Sequence, residues 1–131
     1  MIVVDTSVLM AIALDEPDAD GCIAALADAD EVLISAGTLA ETLIVAAGKG
    51  IASKMARTVE AFGFTVKPVS ESDARRVGQA YARWGKGIHP ASLNFGDCFA
   101  YVLAKDQDCP LLFIGKDFAQ TDVQGVDFAG R

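Results

Sequence analysis

The chain starts with the run Met1-Ile2-Val3-Val4-Asp5-Thr6-Ser7, in which branched apolar residues lead directly into an acid. A short apolar run without alternation is typical of a strand buried on both faces, as the strands of parallel sheets are. Asp5 then lies at the carboxyl end of that strand, which is where ligands bind in open parallel sheets. These opening residues therefore predict a parallel α/β sheet and the rim at which a site would form.

The rest of the chain alternates between strand and helix patterns. Strands are predicted at Val32–Ile34, Thr65–Val69 and Leu111–Ile114, with Val126–Phe128 as a short fifth. The predicted helices are Ser7–Leu14, Asp18–Asp28, Thr38–Ala47, Ile51–Phe62, Ser70–Trp84 and Gly96–Lys105. Ser70, with Asp73 three residues on, resembles a capping box at the start of its helix. Strands that alternate with helices favour a central parallel sheet, here of four to five strands, with helices on both faces. We therefore expect a single three-layer α/β/α domain over residues 1–131.

The composition excludes several classes of protein. The 131 residues are 52% apolar, which fits one packed domain and not a disordered tail. No apolar run reaches the roughly 18–20 residues that cross a bilayer, and no signal-peptide pattern is visible, so we expect a cytoplasmic protein without membrane contact. Three cysteines without a CxxC pair and one histidine, His89, leave no thiolate or imidazole metal site. The net charge of −7 is unusual for a nucleic-acid binder, unless cations bound among acids reverse the local field.

Four acids are placed to reach one rim of the predicted sheet. Asp5 ends the first strand, Glu41 lies near the start of the helix after the second strand, and Asp117 follows the fourth strand. Asp97 opens the apolar helix that leads into the fourth strand. Carboxylates about 4 Å apart repel by roughly 4 kcal/mol at an effective dielectric near 20, so protonation or a cation has to relieve them. Oxygen donors alone suit Mg²⁺ or Mn²⁺, and such a site is typical of enzymes that hydrolyse phosphodiester bonds.

Each acid also has a structural interpretation. Asp5 can cap the following helix, and Thr38 with Glu41 fits a T-x-x-E capping box. Asp97 can stabilise a helix N-terminus through its charge, and Asp117 can be a turn acid paired with the preceding lysine. No single acid decides between the two interpretations, and it is the occurrence of four at one rim that favours a functional site.

Four segments carry a resemblance to a known family. They are Val3-Val4-Asp5-Thr6-Ser7, Thr38-Leu39-Ala40-Glu41, Leu93-Asn94-Phe95-Gly96-Asp97-Cys98-Phe99-Ala100-Tyr101 and Leu112-Phe113-Ile114-Gly115-Lys116-Asp117-Phe118. In this order and at this spacing they resemble the motifs of the PIN-domain ribonucleases that serve as VapC-type toxins. The match extends over the whole chain and is specific as a set, although each motif by itself is weak.

The resemblance implies a PIN fold, Mg²⁺ or Mn²⁺ as the cofactor, and an endoribonuclease that cleaves single-stranded RNA. The family's catalytic metal ligands correspond to Asp5, Glu41, Asp97 and Asp117, its supporting hydroxyls to Thr6 or Ser7, and Asp122 is an alternative for the fourth acid. The resemblance further implies the toxin of a toxin–antitoxin system that inhibits translation or growth. Its partners would be a VapB-type antitoxin and a second copy of the chain in a homodimer.

Basic residues are concentrated on one predicted helix. Arg76, Arg83 and Lys86 recur on one stripe of this helix and its end. Such a stripe would bind RNA phosphates, although a solvated helix face is equally consistent with it.

Two other functions remain open. One is a PIN-like module that binds partners without catalysis. The other is a phosphoaspartyl phosphotransferase or receiver-like domain, which needs paired acids at the end of the first strand, where this chain has only Asp5.

Overall fold

The short apolar strands form one parallel sheet. The computed structural model describes residues 1–128. β1 (Ile2–Val4) pairs with β2 (Val32–Ser35) on one side and β4 (Leu111–Leu112) on the other, and β3 (Thr65–Lys67) pairs with β2. The strand order is β3-β2-β1-β4, with every pairing parallel. The predicted α/β class and its parallel sheet, with four strands, are confirmed.

Helices cover both faces of the sheet, because successive side chains of each buried strand point to opposite sides. The helices are α1 (Thr6–Ala13), α2 (Ala19–Asp28), α3 (Ala36–Gly48), α4 (Ala52–Phe62), α5 (Glu71–Trp84) and α6 (Phe95–Gln107). Val3 and Leu111 pack under α5 and α6, whereas Val4 and Leu112 pack with α1, α2 and α4. α3 contacts both α1 and α6 and so lies where the two layers meet. None of these helices, within residues 1–128, is long and apolar enough to cross a bilayer.

Several strands are shorter than predicted. β3 ends at Lys67, since Pro68 has no N–H for the ladder. β4 ends at Leu112, and the N–H of Ile114 donates to Ser7 Oγ at 3.0 Å instead of to a neighbouring strand. The predicted fifth strand at Val126–Phe128 is wrong, because the chain meets β4 only through a single parallel bridge between Gly125 and Leu111.

The start of α3 differs from the prediction. Ser35 is the N-cap, and its hydroxyl accepts from the N–H of Gly37 at 3.2 Å. Thr38 lies inside the first turn, fully buried, and its hydroxyl has no hydrogen-bond partner. The predicted T-x-x-E capping box is therefore wrong, because the helix begins at Ala36, ahead of Thr38. The capping box predicted at the start of α5, between Ser70 and Asp73, is confirmed.

The two hydroxyls at the start of α3 should respond oppositely to removal. Ser35→Ala removes the cap and should lower the free energy of unfolding by about 1 kcal/mol. Thr38→Val removes a buried hydroxyl without a partner, so stability should be unchanged or rise by up to about 1 kcal/mol. Urea denaturation measures both, and a loss at Thr38 with none at Ser35 would make Thr38 the true cap.

Candidate active site

Asp5 is the most deeply buried acid of the predicted set. It is 3% exposed and caps α1, where its Oδ2 accepts from the N–H of Ser7 at 3.0 Å. Its Oδ1 is buried without a hydrogen-bond partner. Burial, with a smaller contribution from the charge of Glu41, raises the pKa of Asp5 to about 6. The capping role thus accounts for one carboxylate oxygen and leaves the other without a stabilising partner, which is costly for a buried charge.

Glu41 lies in α3, between α1 and α6. The Thr6 hydroxyl donates to its Oε1 at 2.7 Å. On the other side the carboxylate lies against the Cα of Gly96, and a Cβ at that position would collide with it. The Glu41 charge acts on both Asp5 and Asp97, raising the pKa of each. Contacts from two neighbouring helices therefore place this side chain at the rim.

Asp97 lies in the first turn of α6. Asn94 is the N-cap, and a complete capping box forms, with Asp97 Oδ2 accepting from the N–H of Asn94 at 2.9 Å. Burial, with smaller contributions from the charges of Asp5, Glu41 and Asp117, raises the pKa of Asp97 to about 7. The acids predicted from the sequence therefore lie near enough to interact at one rim.

The two candidates for the fourth acid lie in different places. Asp117 is exposed at the start of a short 3₁₀ turn, Phe118–Gln120, and its charge acts on Asp97. Asp122 accepts from the Tyr101 hydroxyl at 2.5 Å and lies 3.3 Å from Lys105 Nζ. Lys105 follows Asp97 by eight positions in α6, or about 12 Å along the helix axis. The structure therefore places Asp117 with the other acids and Asp122 in a separate cluster.

The donor chemistry of the rim fits a hard divalent cation. Asp5, Glu41, Asp97 and Asp117 offer only oxygen atoms, the ligands that Mg²⁺ and Mn²⁺ prefer. Asp5 Oδ1 is a buried oxygen that lacks a partner. As the side chains stand in residues 1–128, no group of three or more His, Cys, Asp or Glu is arranged to hold a metal ion. The acids interact through their charges but do not form a closed cage.

Comparisons with known proteins identify the family of this chain. A family model described as "PIN domain" matches residues 2–124. The chain belongs to the PIN-domain family. Ribonuclease VapC28 of Mycobacterium tuberculosis is 44% identical to it over 126 residues, which are 93% of this chain and 95% of that protein. The VapC ribonucleases are thus the relatives of this PIN domain, and the predicted family is confirmed.

Solved structures confirm the fold. VapC20 of Mycobacterium tuberculosis, described as a sarcin-ricin loop cleaving toxin, superposes with a TM-score of 0.80 at 15% identity, over 96% of this chain and 98% of that one. VapBC2 of Rickettsia felis, described as bound to a DNA fragment from its promoter, superposes with a TM-score of 0.73 at 15% identity, over 98% and 99% of the two chains. At this identity the similarity shows the PIN fold alone.

The predicted basic stripe of this PIN domain is partly neutralised. Arg76 binds the carboxylates of Asp73 at 2.6 Å and Asp106 at 2.7 Å. Asp106 lies near the end of α6, so this part of the stripe is far from the acid rim. The Arg83 guanidinium is paired as well, with its Nη1 3.7 Å from Asp122 Oδ2. Arg83 lies over the Trp84 ring, 4.3 Å from its centroid, and Lys86 is exposed, with its N–H bonded to the carbonyl of Leu93.

Two residues at the rim were missed in the sequence. Gly96 lets the Glu41 carboxylate approach α6, and Thr42, fully buried, lies with its hydroxyl 3.0 Å from that of Thr6. A glycine inside a helix costs about 1 kcal/mol relative to alanine, and that cost was a signal of a packing role. Thr42 had no such signal, because its contact with Thr6 joins two helices.

Gly96→Ala should displace Glu41 rather than unfold the protein. The added Cβ meets the end of a flexible side chain, which can rotate away. We expect nuclease activity to fall by about 10-fold or more, a loss typical of groups that position metal ligands, with the melting temperature maintained. Gly78→Ala, at an α5 position where a Cβ meets nothing within 4 Å, is the matched control. Equal activity in the two variants would contradict the packing argument.

The raised pKa of Asp97 makes stability depend on pH. Because the folded pKa of about 7 exceeds the ordinary 3.8, the folded state holds more protons between these values, and this contribution to stability falls as pH rises. Asp97→Asn can keep the hydrogen bond to Asn94 and removes the charge. With EDTA present at pH 8, we expect the free energy of unfolding to rise by about 1–3 kcal/mol. This is less than the whole pKa shift of Asp97 corresponds to, because solvent screens the partly exposed carboxylate. The gain should shrink toward pH 5 in urea denaturation, whereas a gain independent of pH would contradict the electrostatic cause.

Proposed function

We propose that this PIN domain is an endoribonuclease that hydrolyses single-stranded RNA with Mg²⁺ or Mn²⁺ held by Asp5, Glu41, Asp97 and Asp117. The observation that carries the proposal is the Oδ1 atom of Asp5, which is buried without a hydrogen-bond partner. Three other acids lie at the same rim. A divalent ion there would offset the like charges and return the carboxylates to their ionised forms. The match to the PIN-domain family and the 44% identity to Ribonuclease VapC28 support the same activity.

Each residue of the rim would have a separate role in holding the metal. Asp5 is fixed by the Ser7 N–H, so that Oδ1 stays directed away from the helix cap. Thr6 orients Glu41 through its hydrogen bond to Oε1, and Asn94 fixes Asp97 through the capping box. When bound, the metal supplies a water of lowered pKa and stabilises negative charge on the phosphate oxygens. Asp117, which is exposed, would complete the donor set from the loop after β4.

The RNA would reach this rim along the part of the basic stripe nearest α6. Lys86 lies just after α5, where its N–H donates to the carbonyl of Leu93, beside the chain that enters α6 at Asn94. Arg76 and Arg83 contribute less, because carboxylates already pair with their guanidinium groups. The basic stripe thus has fewer free charges than the sequence predicted, in keeping with the net charge of −7. A bound metal would then supply most of the attraction for phosphate.

We further propose a toxin role in the cytoplasm, with a VapB-type antitoxin and a second copy of this chain as partners. A related structure is described as VapBC2. Beside Glu41, an apolar recess of about 380 Å³ opens between α3 and α6. Its edges are Ile44, 72% exposed, and Phe95, 71% exposed, and contiguous apolar surface of this kind is typical of a protein contact.

The test is cleavage of a total RNA pool by the purified chain, freed of any copurified antitoxin, with Mg²⁺ or Mn²⁺. End-sequencing should map discrete cuts that disappear with EDTA. In Asp97→Asn they should weaken at least about 100-fold, since even groups that only support a ligand contribute about 10–100-fold. Asp20→Asn, at an exposed acid in the first turn of α2, is the matched control and should keep its activity. Intact RNA from a folded protein under both metals would contradict the proposal.

A further inference from the structure

A second hydroxyl, that of Thr42, lies within hydrogen-bond distance of the Thr6 hydroxyl that donates to Glu41. Thr6 Oγ lies 2.7 Å from Glu41 Oε1 and 3.0 Å from Thr42 Oγ. A hydroxyl has one proton to donate, and an ionised carboxylate can only accept. The Thr6 proton therefore belongs to Glu41, and the oxygen of Thr6 is left to accept from Thr42.

Thr42 can meet this need because it is held in place and shielded from water. It is 0% exposed, in the α3 turn that also carries Glu41. Its hydroxyl also lies 2.9 Å from the carbonyl of Thr38, one turn back in the helix. Both acceptors are within reach of its single proton, and no water competes for it. Hydrogen bonds in such a chain polarise and strengthen one another where water is excluded.

An ordinary structural role is the alternative. Threonines in helices often bond to the carbonyl four residues earlier. The chain contains such a case at an exposed position, where the Thr58 hydroxyl donates to the carbonyl of Lys54 at 2.9 Å. Thr42 differs from Thr58 in two respects, full burial and the hydroxyl of Thr6 at 3.0 Å. Thr58 is therefore a matched control for helix bonding without the link to the acid rim.

We propose that Thr42 is a positioning residue, which orients Glu41 for a divalent cation by donating to Thr6. The inference rests on the proposed metal-binding role of Glu41. Thr6 transmits the effect from one side of the carboxylate, while Gly96 limits its movement on the other. Without the Thr42 hydroxyl, the Thr6 oxygen loses its donor, and the carbonyl of Thr38, 3.4 Å from Thr6 Oγ, is free to compete with Glu41 for the Thr6 proton. The carboxylate then loses its fixed orientation although the helix remains.

The experiment measures Mn²⁺ binding to the full chain by calorimetry, together with the melting temperature. Thr42→Val should weaken Mn²⁺ binding by about 10-fold, the lower end of the effect of groups that support metal ligands. Thr42→Ser retains the hydroxyl and should restore binding to within about 2-fold of the original protein, and Thr58→Val should also stay within about 2-fold. Thr6→Val together with Thr42→Val should bind no more weakly than Thr6→Val alone, because both act through the same bond.

The outcomes separate this inference from the proposed function. If Glu41→Gln weakens Mn²⁺ binding and Thr42→Val does not, the positioning role is overturned while the metal site remains. If neither weakens it, both are overturned. A Thr42→Val chain that shows no helical circular dichroism, or a Thr42→Ser chain that binds as weakly as Thr42→Val, would show that Thr42 serves packing and would also overturn the positioning role.

Discussion

The buried carboxylate of Asp5 is the constraint around which the rest of the site is arranged. β1 is buried on both faces, so the residue that follows it enters a region from which water is excluded. One carboxylate oxygen is satisfied by the first turn of α1, and the other has no donor. A carboxyl group in that position is stable either as the neutral acid or, when it is ionised, next to a cation. The charge of Glu41 raises the pKa of both Asp5 and Asp97, so protonation or a cation would relieve like charge across the rim.

The structural and functional interpretations of the acids prove to be compatible. Asp5 is a helix cap and Asp97 belongs to a capping box, yet each uses only one oxygen for that purpose. The cap fixes the side chain, and the positive end of the helix dipole lowers the cost of its charge. Glu41 differs, because its position comes from α1 and α6 rather than from its own helix. Helix starts therefore orient two of the acids, and contacts between helices orient the third.

The loop that carries Asp117 is attached on both sides. Before it, the N–H of Ile114 donates to Ser7 Oγ at the start of α1. After it, Asp122 accepts from Tyr101, whose hydroxyl also accepts from the Trp84 indole N–H at 3.0 Å. The hydrogen bond to Tyr101 explains why Asp122, although it is close to Asp117 in the sequence, does not lie with the acids of the rim. Asp122 is used to attach the chain to α6, which leaves Asp117 exposed between two fixed points.

The sequence by itself determined the parallel sheet, the rim and the acids that lie there, because buried strands and helix starts leave local patterns of period and residue type. It also predicted the capping box at Ser70, a local feature. Only the tertiary structure placed Asp117 near the other acids and Asp122 beside Tyr101, ended β4 at Leu112 and brought Thr42 to Thr6. Each of these depends on a contact between segments far apart in the chain, and such contacts leave no periodicity in the sequence.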